Sequence, residues 1–321
     1  MPAISASYPG KIILFGEHAV VYQSHAIAIP VSQVKSHVVI QPLLSAAPGT
    51  IEIHALDTHT RANLADLPEN HPLGYAVRLT LTHLGVQTTP AFILRASSEI
   101  PMSAGLGSGA SISCSIIRAV SNFLGKPLPP AEVSALAFEV EKLHHGTPSG
   151  VDNTVIAFNQ PILFKRGEPM LPVTVGVDLN FLIADTGVKA STGDVVTGVR
   201  ARWQAEQATY DAFFQQVDTI TLAARAEIQS GNIAQIGLLM SENHRCLQSI
   251  QVSHPALEVL IEAAVSAGAY GAKLSGAGAG GNMIALVNNE TRESVEKAII
   301  HAGAKRVIHT TLARAGQPGG R

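Results

Sequence analysis

The sequence predicts an α+β protein built from two domains. Strand-like and helical segments are mixed up to about residue 165, and from Phe181 onward strand-like segments alternate with helical ones. Between these parts, Lys165–Pro169 has the composition of a turn-rich connection. At about 150 residues per domain, the 321 residues leave room for two cores. We therefore expect domains over residues 1–170 and 171–321.

The order of the elements follows from hydrophobic periodicity and from the positions of glycine and proline. In the first half, β-rich composition predicts these strands: Lys11–Phe15, Ala19–Tyr22, Ser36–Gln41 and Ala91–Arg95. Helical spacing there predicts these helices: Leu73–Leu84, Ser108–Leu124 and Pro130–His144. In the second half, the predicted strands are Phe181–Ala184, Gly271–Leu274, Asn282–Val287 and Arg306–Leu312. The predicted helices there are Thr192–Ser230, Ile233–Ile250, Pro255–Ala267 and Thr291–Ala302.

Composition excludes several classes of function. The formal net charge is -2 and no dense Lys/Arg tract occurs, so the chain lacks the electrostatic footprint of proteins that bind nucleic acid or anionic membranes. A small-molecule partner is favoured. No apolar run reaches the roughly 18 residues of a membrane span, and Met1–Ser7 does not resemble a secretion signal, so we expect a cytoplasmic protein. The two cysteines, Cys114 and Cys246, are expected to be reduced packing thiols.

The most informative segment is Pro101–Ala110, a glycine-rich turn that leads into an apolar helix. Such a turn presents backbone N–H groups and a helix N-terminus to an anion, which is typical of a phosphate site. Ser108 adds a hydroxyl that a phosphate-bound Mg²⁺ can use. The segment matches neither the P-loop nor the dinucleotide-binding pattern. On its own it is more typical of a tight connection.

Charged and polar side chains flank the first predicted strand. Lys11 lies at its start, and Glu17 and His18 follow the glycine at its end. From these residues alone, a strand with charged ends is the simpler interpretation. Catalytic use of the three side chains is the alternative.

A third polar segment follows the helix that ends near His144. Glu141 lies beside the apolar face of that helix, where its carboxylate can face a cleft and complete a Mg²⁺ site with Ser108. Asp152 follows a loop of small residues and proline, Gly146–Gly150. A carboxylate beside a lysine suits phosphoryl transfer, because the carboxylate accepts the proton of the attacking hydroxyl and the ammonium stabilises the transferred group. An ordinary boundary glutamate and a helix-capping aspartate are the alternatives.

A second glycine-rich turn, Ser275–Gly281, lies between two strand-like segments. Its glycines allow close approach of the backbone to a phosphate or to another part of the chain. A purely structural turn is nearly as well supported.

Several segments together resemble the GHMP kinase superfamily over nearly the whole chain. The three that resemble its motifs, in order, are Pro9–Lys11, Gly105–Ser108 and Ser275–Gly281. Three further runs are similar to the members that phosphorylate mevalonate: Gly16–Tyr22, His145–Thr154 and Asp185–Thr192. The chain departs from the family pattern at three places: Gly109, where a second serine is usual, Gln23-Ser24, where a glycine is usual, and Asn282, where cysteine is commoner.

The resemblance implies specific roles for these residues. Asp152 would be the catalytic base, Lys11 its partner near the transferred phosphate, and Ser108 with Glu141 the ligands of Mg²⁺. The residues implied to bind ATP are Pro101, Gly105, Leu106, Gly107, Ser108, Gly109 and Ala110. The residues implied to bind the substrate are Lys11, Glu17, His18, Asp152 and Thr192, with Thr186 as a weaker candidate.

The resemblance also implies a fold and an activity. The fold would combine a ribosomal-protein-S5-like N-terminal domain with a ferredoxin-like C-terminal domain, with the active site between them, in a homodimer. The activity would be ATP-dependent phosphorylation of the 5-hydroxyl of mevalonate, giving 5-phosphomevalonate and ADP in isoprenoid biosynthesis. The alternatives are a GHMP enzyme acting on phosphomevalonate or on the 3-hydroxyl of mevalonate, a decarboxylase of the same pathway, or a non-catalytic sensor on the same fold.

Overall fold

The computed structural model of the chain describes residues 3–101, 105–145 and 148–316, without the side chains of residues 144 and 145. The described residues group into two compact units. The first unit takes the described residues of Met1–Lys11, Pro30–Met102 and Leu106–Asn159. The second takes those of Ile12–Ile29, Ser103–Gly105 and Gln160–Arg321. Each unit is therefore assembled from separate stretches of sequence, and the predicted domain boundary at residues 170 and 171 stays a prediction.

Strands of the first half form a mixed sheet. Five of the seven strands of this sheet are β1 (Ile4–Phe15), β2 (Ala26–Pro42), β3 (Ile51–Ala55), β4 (Thr60–Asn63) and β5 (Phe92–Ser98), and the other two are β6 (Ile162–Phe164) and β7 (Leu171–Pro172). β2 pairs antiparallel with β5, β5 pairs parallel with β3, and β3 forms an antiparallel pair with β4, while β1 pairs with β2. Alternate residues of β5 are buried, with Phe92 and Leu94 pointing into an apolar core. One face of this sheet is therefore covered by helices.

Four helices belong to the first unit: α1 (Pro72–His83), α2 (Ser108–Phe123), α3 (Pro130–His145) and α4 (Val151–Phe158). The central helix is α2, which contacts α1, α3 and α4. Ser111 anchors it to β1, because its Oγ donates to the carbonyl of Tyr8 at 2.9 Å. The N-terminus of α2 thus has a fixed position beside β1.

The second unit contains the remaining strands and α-helices. Its strands are β6 (Ile162–Phe164), β7 (Leu171–Pro172), β8 (Leu179–Asp185), β9 (Gly271–Ser275), β10 (Asn282–Val287) and β11 (Arg306–Leu312). Its helices are α5 (Thr192–Ala205), α6 (Gln207–Ser230), α7 (Ile233–Ser249), α8 (Pro255–Ser266) and α9 (Arg292–His301). Four strands make an antiparallel sheet in the order β11, β8, β10, β9. All residues of β9 and β10 are buried, so both faces of these strands are covered.

Two predicted elements are wrong. Ala19–Tyr22 is one turn of 3-10 helix rather than a strand, because its amides bond locally: Val20 N–H donates to the carbonyl of Gly16 and Val21 N–H to that of His18. The predicted helix Thr192–Ser230 is two helices, α5 and α6, since the backbone at Glu206 has an extended φ of -134°. Local β propensity was overridden in the first case, and no glycine or proline marks the break in the second.

Two features expected from composition concern the cysteines and the helices. Cys114 and Cys246 are both free and buried, which confirms them as packing thiols. Within the part of the chain that the structure describes, every helix is too short or too polar to cross a bilayer.

Candidate active site

The glycine-rich loop before α2 is fitted against Lys11 of β1. The backbone N–H of Lys11 donates to the carbonyl of Leu106 at 2.9 Å. Gly107 has a φ of 73°, and a Cβ atom there would lie only 2.8 Å from Cγ of Lys11. Only glycine suits this position, because its backbone is left-handed and the lysine stem occupies the space of a side chain. The loop thereby directs the stem of Lys11 past the start of α2.

Lys11 forms an ion pair with Asp152. Its Nζ lies 3.0 Å from Oδ1 of Asp152, and the side chains are 6% and 32% exposed. Asp152 is the second residue of α4, whose start follows Gly150 with a φ of 92°. A carboxylate at a helix N-terminus is stabilised by the helix dipole. The lysine is therefore almost sealed, while its carboxylate partner remains accessible to a ligand.

Glu141 of α3 is a second carboxylate near this pair. Its side chain is buried, and burial, with a contribution from the charge of Asp152, raises its pKa to about 7 against the opposing effect of Lys11. A Cβ atom on Gly109 would lie 2.8 Å from Oε1 of Glu141, so this carboxylate lies against the first turn of α2. The glycine at position 109, where the family pattern has serine, leaves the space that the carboxylate occupies.

The residues predicted to bind ATP lie in the sequence at or before the start of α2. The structure describes all seven: Pro101, Gly105, Leu106, Gly107, Ser108, Gly109 and Ala110. Met102, Ser103 and Ala104, which belong to the same predicted phosphate segment, lie outside the described residues. The first helical hydrogen bond runs from Ser111 N–H to the carbonyl of Gly107. The N–H groups that precede it in a helix have no helical acceptor, which makes this end suitable for an anion.

The second unit contains Glu17, His18 and a partner that the sequence did not reveal. Nζ of Lys273 in β9 donates to Oε1 of Glu17 and, at 2.7 Å, to the carbonyl of Leu274. Both side chains of the Glu17–Lys273 pair are 0% exposed. Burial lowers the pKa of Lys273, and the charge of Glu17 opposes that shift. This pair is completely removed from solvent.

His18 is held by the second glycine-rich turn. Its Nε2 lies 2.9 Å from the carbonyl of Ala277. Burial lowers the pKa of His18 to about 4, and the positive charges of Arg202 and Lys273 act in the same direction. The ring is therefore neutral at physiological pH, and because Nε2 must carry the proton that it donates, the lone pair of Nδ1 remains as an acceptor.

The turn after β9 has a backbone that only glycine accommodates at two positions. A Cβ atom on Gly278 would lie 2.0 Å from the carbonyl oxygen of Val252, and one on Gly280 would lie 2.6 Å from that of Val188. Thr186 belongs to the same arrangement, since its Oγ1 donates to the carbonyl of Gly281 at 2.9 Å. Its hydroxyl is thus used within the fold. Thr192, by contrast, is exposed at the start of α5.

Within the first unit, the structure brings Lys11, Glu141, Asp152 and the loop around Ser108 together. Within the second unit, it brings Glu17 and His18 to the turn after β9. Sequence reasoning missed Lys273, although one signal was present. A lysine inside a short strand of otherwise apolar or small residues must find a counter-charge when that strand is buried.

Comparison with known proteins decides the family. Residues 70–160 match the family described as GHMP kinases N terminal domain, and residues 224–305 match GHMP kinases C terminal. The chain belongs to the GHMP kinase family. GHMP kinases transfer a phosphoryl group from ATP, so the prediction of an ATP-dependent kinase is confirmed. The predicted fold class, α+β with GHMP kinase N- and C-terminal domains, is confirmed as well.

Individual relatives cover almost the full chain. A mevalonate kinase of Pyrococcus abyssi is 33% identical, over 95% of this chain and 94% of the relative. Among solved structures, the L. major mevalonate kinase in complex with R-mevalonate is 29% identical with a TM-score of 0.82, covering 98% of this GHMP kinase and 97% of that chain. The Methanococcus jannaschii mevalonate kinase is 29% identical with a TM-score of 0.84, over 96% and 98% of the two chains.

Proposed function

We propose that this GHMP kinase phosphorylates the 5-hydroxyl of mevalonate, giving 5-phosphomevalonate and ADP. The observation that carries the proposal is the ion pair of Lys11 with Asp152 beside the glycine-rich loop, in which the carboxylate stays accessible. The names of the full-length relatives support mevalonate as the substrate. The reaction then belongs to isoprenoid biosynthesis.

Each member of the pair has one task in this reaction. The 5-hydroxyl oxygen forms a bond to the γ-phosphorus of ATP, and the bond from that phosphorus to the oxygen of the leaving ADP breaks. The hydroxyl proton passes to the carboxylate of Asp152. The ammonium of Lys11 stabilises negative charge on the phosphoryl oxygens during transfer. The partial exposure of Asp152 fits this role, because a proton acceptor must reach the substrate hydroxyl.

The loop before α2 binds the phosphates of ATP in this proposal. The N–H groups of Ser108, Gly109 and Ala110 belong to the first turn of α2, where a helix presents donors and a partial positive charge. Gly107 keeps side-chain atoms out of the loop at the point where Lys11 passes. The phosphates and the ammonium are thereby directed to the same place.

The donor set beside this loop fits Mg²⁺. Ser108 offers a hydroxyl, and Glu141 offers a carboxylate whose pKa is raised to about 7 by burial and by the charge of Asp152. Two neighbouring carboxylates favour a bound cation, since its charge relieves their repulsion. Among the described residues, no group of three or more acidic, His or Cys side chains could hold a metal ion. Mg²⁺ at this place would be held largely by phosphates and waters. When bound, Mg²⁺ neutralises charge on the phosphates.

The remaining predicted contacts belong to the substrate and to assembly. We retain His18 and Thr192 as substrate contacts: Nε2 of His18 is bonded to the carbonyl of Ala277, which leaves Nδ1 as the acceptor of the ring, and Thr192 is exposed. A homodimer stays a prediction from the family resemblance.

The proposal is tested by identifying the product as well as the turnover. The purified chain is incubated with MgATP and either mevalonate or phosphomevalonate, ADP is followed by a coupled assay, and the product is examined by proton-coupled ³¹P NMR. We expect mevalonate-dependent ADP and a phosphomonoester triplet, because the 5-phosphate is bonded to a CH₂–O group.

The alternatives give different spectra. A 3-phosphate is bonded to a tertiary carbon and gives a singlet, and phosphorylation of phosphomevalonate gives the paired signals of a diphosphate. A sensor binds ligands without producing ADP. Any of these results would contradict the proposed substrate or reaction.

A further inference from the structure

His18 lies at the centre of a strained turn. Its backbone has φ 61° and ψ -49°, and the N–H of Ala19 donates to the carbonyl of Glu17 at 2.7 Å. These values describe a γ-turn with positive φ, which is rare and strained for a residue that has a Cβ atom. Such a conformation persists only where the surrounding structure imposes it. The contacts on both sides of His18 therefore have to hold this turn.

The contact before His18 is the Glu17–Lys273 pair. Glu17 and Lys273 are separated by 256 positions in sequence, and both side chains are completely buried. Nζ of Lys273 is itself held by the carbonyl of Leu274. The carboxylate of Glu17 is therefore fixed to the end of β9.

Further contacts fix the same end of β9 and the turn that follows it. Ser275 Oγ donates to the carbonyl of Ile13 at 2.7 Å, and His18 Nε2 lies 2.9 Å from the carbonyl of Ala277. Before the γ-turn, Gly16 has a φ of 96°, and a Cβ atom there would lie 2.3 Å from the carbonyl oxygen of His25. The γ-turn is thus clamped to β9 and its following turn.

A buried ion pair is not explained by stability alone. Desolvating two charges costs about as much as their attraction returns, and apolar residues of similar size often stabilise a fold equally well. What the charged pair adds is a fixed relative position of its two partners. Here that position determines where the strained turn places the ring of His18.

We propose that Lys273 is a positioning residue for the phosphoryl acceptor: through the buried Glu17 it holds the γ-turn that presents His18 to mevalonate. Glu17 is then also a positioning residue, since its sealed carboxylate is turned to Lys273 rather than to a ligand. This inference rests on the proposed function for the identity of the acceptor. It adds Lys273, and it changes the role of Glu17 from substrate contact to support.

The kinetic test compares Lys273→Met with Lys297→Met. The second variant removes the lysine of an exposed pair with Glu293 on α9, whose side chains are 73% and 77% exposed, so it controls for the substitution. For Lys273→Met we expect the KM for mevalonate to rise at least about tenfold while the KM for ATP changes less than about twofold. A role in folding alone lowers kcat with the folded fraction and leaves both Michaelis constants unchanged, which would overturn the proposal.

A second readout needs neither substrate nor turnover. In ¹⁵N-histidine spectra of the free wild-type protein, His18 should be the Nε2–H tautomer with a pKa of about 4, assigned by comparison with His18→Gln. In Glu17→Gln the positive charges of Lys273 and Arg202 remain, so charge alone cannot raise this pKa. A rise toward 6.5, the ordinary value, therefore reports that the ring has left its buried place.

The two readouts separate the possible failures. If the wild-type protein is inactive on mevalonate but the pKa of His18 rises in Glu17→Gln, the proposed function is contradicted and the positioning role is retained. Full activity on mevalonate with an unchanged His18 signal in Glu17→Gln contradicts the positioning role. If Lys273→Met does not fold, Glu17→Gln, which keeps the side-chain shape and an acceptor for Lys273, provides both measurements.

Discussion

Two lysine–carboxylate pairs of this chain differ mainly in their access to solvent. In the Lys11–Asp152 pair the lysine is 6% exposed and the aspartate 32%, whereas both members of the Glu17–Lys273 pair are 0% exposed. A carboxylate that accepts a proton must reach its substrate, so only the first pair is suited to chemistry. The second pair can act only through the backbone that it holds. Residue type alone does not separate these roles.

The surroundings of the pairs explain this difference. Asp152 belongs to the first turn of α4, directly after a loop, and it faces Lys11 beside the glycine-rich loop before α2. Lys273 lies in the middle of β9, a strand in which every residue is buried. Loops leave side chains accessible, while a strand covered on both faces seals them.

The largest expected effect belongs to the partly exposed Lys11–Asp152 pair. Asp152→Asn keeps the shape of the side chain but removes the proton acceptor, so kcat should fall about 10² to 10⁴-fold. Thermal unfolding should show that the variant remains folded. Asp66→Asn, at an exposed aspartate of a surface turn, is the matched control and should retain full activity. Equal activities of the two variants would remove the distinction between the pairs.

The buried Glu17–Lys273 pair should instead have the larger effect on the free energy of unfolding. Lys273→Met leaves the carboxylate of Glu17 buried without its cation and should cost about 3–5 kcal/mol in the free energy of unfolding. Adding Glu17→Gln should restore much of this loss, because neither charge then remains buried. The pair on α9 is exposed and screened by solvent, so Lys297→Met should be nearly neutral. Urea unfolding measures all three, and similar losses for both lysines would contradict the account.

Glu141 should give a pH-dependent effect of intermediate size. Burial and the charge of Asp152 raise its pKa from 4.5 to about 7, so the folded protein binds more protons than the unfolded chain within this interval. The contribution of the Glu141 carboxyl to the free energy of unfolding is therefore fully present below pH 4.5 and is lost as pH rises through about 7. Glu141→Gln removes this dependence and should stabilise the metal-free protein by about 3 kcal/mol above pH 7.

Urea unfolding at several pH values without Mg²⁺ provides that measurement. Glu290→Gln, at an exposed glutamate before α9, should leave the pH profile of the wild type unchanged. A Glu141→Gln profile that parallels the wild type would show that this carboxyl is not the group that titrates.

The smallest predicted effect isolates the strain at His18. His18→Gly and His18→Ala both lack the ring, but only glycine adopts a φ of 61° without strain. The glycine variant should therefore be the more stable of the two by about 1 kcal/mol or more. At Lys297, inside α9, the same comparison should reverse, because glycine destabilises a helix relative to alanine. If the stability difference between the glycine and alanine variants had the same sign at both positions, the turn at His18 would not be strained.

Much of the first unit could be predicted from sequence. The helix after the glycine-rich loop was predicted as Ser108–Leu124 and is found as Ser108–Phe123, since apolar spacing and the glycines at both ends are local signals. The proximity of Lys11 and Asp152 came only from the family resemblance, and the structure bears it out. Residue spacing alone left each with a simpler interpretation.

What the sequence could not supply depends on distant contacts. Ala19–Tyr22 has β propensity, but the turn at Gly16 makes it helical, because a Cβ-free residue there lets the chain pass the carbonyl of His25. The partner of Glu17 is 256 positions away, and no local rule connects the two residues. The Glu17–Lys273 pair could therefore not be predicted from the sequence, although a lysine inside the strand β9 indicated that Lys273 needs a counter-charge.

A double-mutant cycle on Lys11 and Asp152 tests most directly the claim that these two residues act together in phosphoryl transfer. The rates of mevalonate-dependent ADP formation are measured for wild type, Lys11→Met, Asp152→Asn and the double variant at saturating MgATP. If Lys11 and Asp152 act as one unit on the transferred phosphoryl group, the double variant should be within about threefold of the slower single variant. If the fold reductions in rate of the two single variants multiply in the double variant, Lys11 and Asp152 act independently, which would contradict the account.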